Sequence, residues 1–515
     1  MSFQSVHFLL FLPLVAGAYF VLPAGFRRFW LLLASYYFYF FAAPKYLPVL
    51  LCGTVFSYIA AWRIDVASSR RGKRGWLAFG VAGLVLALSF FKYNGLYARL
   101  LVPLFAAMGM DYSGDYFVTA AALGISFYTF MALGYLIDLY RGDVPREKSL
   151  LGHALFLGFF PAITSGPISR AGDLMPQLRD TSRRFSAQGW ADGLRLMAVG
   201  FFKKLAVADT LALFVNAVYR DLLSYSGLTL TLAAVGYALQ LYFDFSGYTD
   251  IALGAAALFG IKLRQNFNTP YFATNFSGFW ARWHITLSTW LQDYIFTPLV
   301  WSRWTEKIPF LGRKVTKPPV LSSLAVVFLV SGLWHGDTLC FLFWGALMAL
   351  YRIGEELLHR WVGKPKKHPS ALVRAGKTAV VFLLWVESLV FFRIGTPDVS
   401  GSVIDAFSAI GRQFRPWSLT QTGTDLFEAV AEGFYGKGFM VALFLVFSLF
   451  CLALALWADW MQCFRLGGKH PAEGLKLLHP AVRWAFYFVL VLCCFAGFIA
   501  GSGGFGGTNF LYGGF

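Results

Sequence analysis

The stretch PPVLSSLAVVFLVSGLWHGD, residues 318–337, contains the features that decide the fold. Its first part, 318–334, carries no charged side chain and consists mostly of aliphatic and aromatic residues. Because roughly 20 apolar residues cross the hydrocarbon core of a bilayer as a helix, such a run predicts a membrane helix. The run ends on His335, Gly336 and Asp337, so a titratable side chain is expected at one end of an apolar helix.

The composition of the whole chain also indicates a membrane protein. Of its 515 residues, 58% are hydrophobic, 19% are aromatic and 14% are charged, whereas soluble domains carry roughly 25% charged residues. The net charge of +18 is compatible with nucleic-acid binding, but the basic residues flank apolar runs, as cytoplasmic loops do. We therefore expect membrane lipids as partners, no nucleic acid, and a multi-pass location in the cell inner membrane.

Thirteen apolar runs are candidates for crossing the membrane, and about eleven are expected to cross. Basic residues at 27–28, 70–74 and 141–148 favour the cytoplasm if the N-terminus starts outside. Further cytoplasmic loops are expected at 313–317 and 364–367, and residues 1–26 are expected to be a retained first helix. The thirteen runs are 7–26, 29–44, 46–62, 76–91, 116–137, 149–169, 196–219, 222–243, 318–334, 338–351, 376–396, 438–458 and 484–502.

The run 149–169 is predicted to be re-entrant, because basic loops flank it on both sides and Pro161, Gly166 and Pro167 interrupt a helix. Irregular backbone at membrane depth needs polar partners, so this run is expected to line a cavity. The sequence thus predicts an all-α integral membrane fold with about eleven transmembrane helices plus re-entrant and interfacial helices. One domain, 1–515, is expected, with core motifs at about 116–350, C-terminal helices at about 376–502 and an interfacial tail at 503–515.

The segment FWARWHITLSTWLQDY, residues 279–294, is the first candidate for function, since polar residues at membrane depth are costly. On a helix, His284, Ser288 and Gln292 follow one another at one-turn spacing. This stripe faces several aromatic side chains. An interfacial amphipathic helix with an aromatic belt explains the same pattern.

The second candidate is His335, which lies between Gly332 and Gly336. Glycines let a substrate approach closely, and imidazole suits general-base chemistry near neutral pH. A structural histidine is an equally good explanation of the pattern. The sequence lacks a GxSxG elbow, a Walker A loop, an HExxH motif and any Cys/His spacing suited to a metal, so no metal site is expected.

Five elements resemble those of bacterial membrane-bound O-acyltransferases (MBOAT), particularly the alginate O-acetylase group. They are GISFY (124–128), YLIDLYRG (135–142), QLYFDFSGY (240–248), FWARWHITLS (279–288) and GLWHG (332–336). The resemblance implies a ring of helices around a central tunnel, which joins a cytoplasmic donor funnel to the outer face. It also implies that His335 is the essential histidine and His284 the second one.

The resemblance further implies acetyl-CoA as donor, no bound cofactor and a polysaccharide acceptor outside the membrane. Family members usually hand the acyl group to a periplasmic or membrane-anchored SGNH-hydrolase-like partner. His335 is expected to act as general base or as acyl carrier. Residues expected around the tunnel are Asp244, Ser288, Asp293 and Trp334. Residues expected to attract donor phosphates, unless they are topology signals or lipid contacts, are Arg170, Lys203 and Lys204.

One position departs from the alginate enzymes, which the resemblance implies carry a histidine after the Phe-Pro of 160–161. This chain has Ala162 there. The departure leaves the acceptor open between an alginate-like exopolysaccharide, peptidoglycan and teichoic acid, the last with D-alanylation. A polysaccharide exporter is the non-enzymatic alternative.

Overall fold

The computed structural model describes residues 1–109, 124–225, 227–302, 320–363, 370–431 and 438–501. Every regular element within those ranges is a helix, so the all-α prediction is confirmed for them. The predicted tail at 503–515 and the predicted loops at 313–317 and 364–367 lie outside the described residues, as does the first part of the run 116–137.

The chain divides into two compact units, and the prediction of one domain stays a prediction. The first unit comprises Met1–Met197 and Tyr248–Gln265, and the second comprises Ala198–Gly247 and the described residues from 266 to 501. Helices before residue 180 are α1 (Val6–Val21), α2 (Ala24–Ala42), α3 (Leu47–Val66), α4 (Arg70–Lys92), α5 (Asn94–Ala107), α6 (Ile125–Arg141), α7 (Leu150–Gly158), α8 (Phe160–Ile163) and α9 (Ala171–Arg179).

The helices that follow include the long apolar ones of the second unit. They are α10 (Ala187–Phe201), α11 (Asp209–Arg220), α12 (Leu228–Ala257), α13 (Phe276–Trp280), α14 (Ile285–Leu291), α15 (Thr297–Val300), α16 (Val320–His335), α17 (Leu339–Val362), α18 (Ala371–Ile394), α19 (Val403–Gln413), α20 (Leu419–Ala431), α21 (Gly438–Phe464), α22 (Pro471–Gly474) and α23 (Pro480–Gly501).

Six helices in the described part of the chain are long and apolar enough to cross a membrane, which indicates a multi-pass membrane protein. They are Pro44–Val66, Arg70–Lys92, Leu228–Ala257, Ala371–Ile394, Gly438–Phe464 and Pro480–Ala500. Three shorter apolar helices are Val6–Val21, Gly95–Ala107 and Val320–His335. The figure of about eleven crossings stays a prediction.

The run 149–169 is interrupted at 164–169, which contains the predicted breakers Gly166 and Pro167, and also at Phe159, which was not predicted. Helix α7 ends at Gly158, and Phe159 adopts a non-helical conformation with φ −52° and ψ 112°. Pro161 lies in the first turn of α8, where a missing N–H costs nothing. It therefore starts a helix instead of breaking one. The irregular backbone at 164–169 is buried within the first unit, and its re-entrant path stays a prediction.

A π-helical turn, Phe202–Ala208, joins α10 to α11. Helix α12 approaches this turn closely at Gly247, where an added Cβ would lie 2.7 Å from the carbonyl oxygen of Gly200 and 3.0 Å from the Cβ of Lys203. Glycine is therefore required at this contact. Turns of this kind are rare and often occur at functional sites. This one directs Lys204 into the interior of the second unit.

Candidate active site

His335 is the last residue of α16 and lies in an aromatic pocket of the second unit. Its ring centroid is 4.6 Å from that of Trp334, 4.8 Å from that of Phe392 and 5.0 Å from that of Trp344. The ring of Phe341 lies 6.3 Å away. Only 4% of His335 is exposed. The imidazole is thus held by rings in surroundings that exclude most water.

Glycines bring α16 and α17 together and so fix the position of His335. A Cβ on Gly332 would lie 2.5 Å from the carbonyl oxygen of Phe341, and a Cβ on Gly345 would lie 3.1 Å from the Cα of Gly332. A Cβ on Gly336 would lie 2.4 Å from the Phe341 ring. Because a larger residue at these positions would force the helices apart, the glycines around the histidine have a packing role.

His284 directly precedes α14 in the left-handed conformation, with φ 41° and ψ 53°. The structure therefore corrects the predicted stripe: Ser288 and Gln292 lie on or at the end of α14, but His284 caps the helix. A positive φ is incompatible with a right-handed helix. The segment 279–294 is likewise not one amphipathic helix, because a turn separates α13 from α14.

Asn266 holds His284 in this conformation. The backbone N–H of Ile285 donates to the carbonyl oxygen of Asn266 at 2.9 Å, and the backbone N–H of Thr286 donates to Asn266 Oδ1 at 3.1 Å. Since a backbone N–H can only donate, Oδ1 is an acceptor. The Nδ1 of His284, 3.1 Å from the same Oδ1, must therefore carry a proton.

The basic nitrogen of the neutral His284 ring is consequently Nε2. Burial lowers the pKa of His284 to about 3, because the charged imidazolium would lose its hydration. The ring is therefore neutral near pH 7. Phe245 packs against it edge to face, with ring centroids 4.8 Å apart, so the orientation of the imidazole is set by Asn266 on one side and Phe245 on another.

Trp334 is the side chain that the two histidines share. Its ring centroid lies 4.6 Å from that of His335 and 6.5 Å from that of His284. The second unit therefore brings together three residues predicted from the sequence. An imidazole positioned in apolar surroundings can take a proton from an attacking hydroxyl, which is the general-base chemistry that acyl transfer to a hydroxyl uses.

Lys204 belongs to a buried ion cluster. Its Nζ lies 2.8 Å from Asp209 Oδ1 and 2.5 Å from Asp244 Oδ1, and all three residues are buried. An ammonium engaged by two carboxylates is not presented to a soluble phosphate, so the predicted donor-binding role does not fit this position. Asp244 precedes Phe245 on α12, and the cluster thus anchors the part of α12 that packs on His284.

The remaining predicted residues have different surroundings. Ser288 Oγ donates to the carbonyl oxygen of Trp283 at 3.1 Å, which ties α14 to the preceding turn. Asp293 is exposed in a π-helical turn after α14. Lys203 is buried in the second unit, and Arg170 is half-buried in the first unit, directly before α9.

Arg393 is a candidate that the sequence analysis missed. It is buried at the end of α18, directly after Phe392, which forms one wall of the His335 pocket. Its guanidinium donates hydrogen bonds of 2.9–3.0 Å to Asn216, Thr396 and Asp398. The sequence could have indicated this candidate, because a charged arginine inside the apolar run 376–396 is energetically costly. Arg393 joins α18 to α11 and thereby supports the pocket wall.

Comparison with known proteins places these residues in a family. The model of "MBOAT, membrane-bound O-acyltransferase family" matches residues 144–391, which include both histidines. "Probable alginate O-acetylase AlgI" of Azotobacter vinelandii is 35% identical over 424 residues, covering 82% of this chain and 80% of that protein.

Two further relatives are named for other activities. "Peptidoglycan O-acetyltransferase" of Helicobacter pylori is 35% identical over 370 residues, covering 65% of this chain and 67% of that protein. "Teichoic acid D-alanyltransferase" of Bacillus subtilis is 29% identical over 252 residues, covering 48% and 62%. The family match, the coverage of the alginate relative and the apolar helices lead to one conclusion: this chain is an acyltransferase and belongs to the membrane-bound O-acyltransferase family.

Proposed function

We propose that the protein moves an acetyl group from cytoplasmic acetyl-CoA across the inner membrane toward a hydroxyl of an extracytoplasmic polysaccharide. The observation that carries the proposal is the burial of His335 in an aromatic pocket that shares Trp334 with His284. Relatives named as O-acetylases support an acetyl group. Membership of an acyltransferase family favours the enzyme over the exporter. An MBOAT-type tunnel through a ring of about eleven helices is part of this proposal.

In the proposed step, the acceptor hydroxyl attacks the thioester carbonyl carbon while His335 takes the hydroxyl proton. The tetrahedral intermediate then collapses, the carbon–sulfur bond breaks, and the imidazolium returns its proton to the thiolate of CoA. If His335 carries the acyl group instead, its ring nitrogen attacks the thioester carbon, the carbon–sulfur bond breaks, and the imidazole N–H proton passes to the thiolate of CoA. The acceptor hydroxyl then attacks the acyl-imidazole, the carbon–nitrogen bond breaks, and the released imidazole takes the hydroxyl proton. A positioned base contributes about 10²–10⁴-fold to such a rate.

His284 is proposed as the positioning histidine. Its Nδ1 is committed to Asn266, and its Nε2 carries the lone pair of a neutral ring. Such a nitrogen accepts a hydrogen bond from a hydroxyl or from a neighbouring N–H. We assign it the orientation of the acceptor hydroxyl, with Trp334, whose ring lies near both imidazoles, as a wall of the reaction site.

The donor phosphates require cations on the cytoplasmic side. Of the three basic residues predicted for this role, Arg170 is the accessible one, whereas Lys203 and Lys204 are buried. We therefore propose Arg170, together with the basic loops, for attraction of CoA. Lys204 is assigned to the ion cluster instead.

Two acceptors are favoured by specific observations. The alginate and peptidoglycan relatives are equally identical to this chain, at 35%, and Ala162 stands where the alginate enzymes are expected to carry histidine. An alginate-like exopolysaccharide is the first candidate and peptidoglycan is the second. An SGNH-hydrolase-like partner is proposed to make the final transfer, so the polymer itself need not reach His335.

Mass spectrometry of cell-surface polymers tests this function. Cells with the wild-type protein, with His335→Ala and without the protein are compared for O-acetyl content of exopolysaccharide and of peptidoglycan. One polymer should lose its acetyl esters in both altered strains. Unchanged acetylation of every polymer in the strain without the protein would contradict the proposal.

A further inference from the structure

We propose that the first unit binds the hydrocarbon chain of a membrane lipid in a cavity between α3, α4 and α6. The cavity has a volume of about 430 Å³. Residues of α3 (Cys52, Gly53, Phe56), of α4 (Leu84, Ala87) and of α6 (Tyr128) line it. This proposal is independent of the acyl-transfer reaction.

The lining excludes water as the occupant. It consists of aliphatic, aromatic and small residues, with few groups that could hold a water molecule. A volume of this size would accommodate about 14 waters at roughly 30 Å³ each, and each water needs two to four polar partners. An apolar cavity of about 150 Å³ stays dry and takes up apolar ligands.

The cavity is partly open to the surface, and without an occupant its apolar side chains would lack contacts on one side. The surroundings identify what fills it. Both α3 and α4 belong to segments able to cross the membrane, and Cys52 on the cavity lining is exposed. Leu51 and Val55, on the same helix, are also exposed. The cavity therefore adjoins apolar helix surface that is exposed among the described residues, and in a membrane such surface lies against lipid hydrocarbon.

Two glycines give the cavity its shape. A Cβ on Gly83 would lie 2.3 Å from the ring of Phe56, so glycine at 83 lets this ring fold against α4. Gly53 is different, because a Cβ there would meet only a ring atom of Tyr128, at 3.9 Å. A larger side chain at 53 would therefore enter the cavity and occupy the place of the lipid chain.

Native mass spectrometry of the full-length protein, released from nanodiscs of phosphatidylethanolamine and phosphatidylglycerol, tests the site. Wild type should retain one phospholipid that Gly53→Leu loses. Gly17→Leu is the matched control: Gly17 lies in an apolar helix of the same unit, is half-buried, and has no atom within 4 Å of an added Cβ. This variant should retain the lipid.

A smaller substitution at the same position keeps the test valid if Gly53→Leu folds poorly. Gly53→Ala leaves most of the cavity open and should retain the lipid, and added lipid should raise its melting temperature as it does that of wild type. Equal lipid retention by well-folded wild type and Gly53→Leu would overturn the proposal. So would a wild-type protein that retains no lipid and gains no thermal stability from it.

Discussion

At the scale of single residues, Asn266 determines which ring nitrogen of His284 carries the proton. The sequence pattern identified the histidine, but its tautomer and left-handed backbone depend on a side chain 18 positions earlier in the chain. No local periodicity contains that information. Arg393 could be recognised as a charge inside an apolar run, but its partner Asn216 lies on another helix and could not be predicted. His335 was easier to identify, because its apolar run and flanking glycines are contiguous in sequence.

The lowered pKa of His284 predicts a pH dependence of stability. The unfolded chain binds a proton on this histidine below about pH 6.5, whereas the folded chain does not until about pH 3. The stability is therefore fully present above pH 6.5 and is lost as the pH falls, by about 2 kcal/mol at pH 5. Replacing His284 by Gln should remove this part of the acid sensitivity.

Thermal unfolding of detergent-purified protein between pH 7.5 and 5 measures the effect. His153, which burial also keeps neutral with a pKa of about 3, is present in both proteins and cancels in the comparison. The melting temperature of wild type should fall more steeply than that of His284→Gln. Parallel curves would show that His284 titrates normally.

At the scale of helices, the contact between α16 and α17 is predicted to be sensitive to single methyl groups. In Gly332→Ala the added Cβ would lie 2.5 Å from a backbone carbonyl oxygen, and the overpacked contact should cost about 1–3 kcal/mol. Activity should fall with it, because His335 ends α16.

Gly354→Ala on α17 is the control, since nothing lies within 4 Å of an added Cβ there. This variant should gain about 0.5–1 kcal/mol, because alanine favours a helix more than glycine does. Melting temperatures of the two variants should therefore move in opposite directions. If Gly332→Ala were as stable as wild type, α16 and α17 would not be in close contact at this position.

The buried ion cluster of Lys204, Asp209 and Asp244 gives a second prediction at the scale of helices. Lys204→Met leaves two carboxylates buried without their ammonium, which should destabilise the protein by about 3–5 kcal/mol. Asp244→Asn keeps the Lys204–Asp209 pair and should cost less. The exposed Lys262→Met should change stability by no more than about 0.5 kcal/mol. Chemical or thermal unfolding of the three variants ranks them, and equal stability of Lys204→Met and Lys262→Met would contradict the cluster.

Helix boundaries show what the sequence pattern could and could not predict. The run 149–169 is interrupted at Gly166 and Pro167 as predicted. Its other break falls at Phe159 and not at Pro161, because the first turn of a helix accommodates proline. The π-helical turn at 202–208 left no mark on the hydrophobic pattern. That pattern reports which face is apolar and does not report one extra residue in a turn.

At the scale of the whole molecule, composition alone predicted that lipid surrounds much of the protein surface. A chain with 58% hydrophobic and 14% charged residues must expose apolar surface, and the span windows of α21 and α23 are only 22% and 17% buried. The number of crossings was harder to predict, since several apolar runs form short or buried helices, such as α7 and α16.

The basic N-terminal end of α4 predicts the orientation of the chain. Cytoplasmic ends of membrane helices collect Lys and Arg, and residues 70–74, the first residues of α4, contain four of them. In a cysteine-free background, Ser68→Cys, at an exposed position, should react with a membrane-impermeant maleimide only after the cells are permeabilised. Labelling of intact spheroplasts would place this end of α4 outside and reverse the proposed topology.

The central claim is that this membrane protein is an acyltransferase that works through His335. Proteoliposomes containing wild type or His335→Ala, at equal amounts of folded protein, are given acetyl-CoA with a labelled acetyl group, and release of free CoA thiol and fate of the label are followed. Wild type should release CoA and transfer the label to the protein, the acceptor or water, and His335→Ala should be slower by about 10²–10⁴-fold. Equal rates of CoA release in the two preparations would contradict the account.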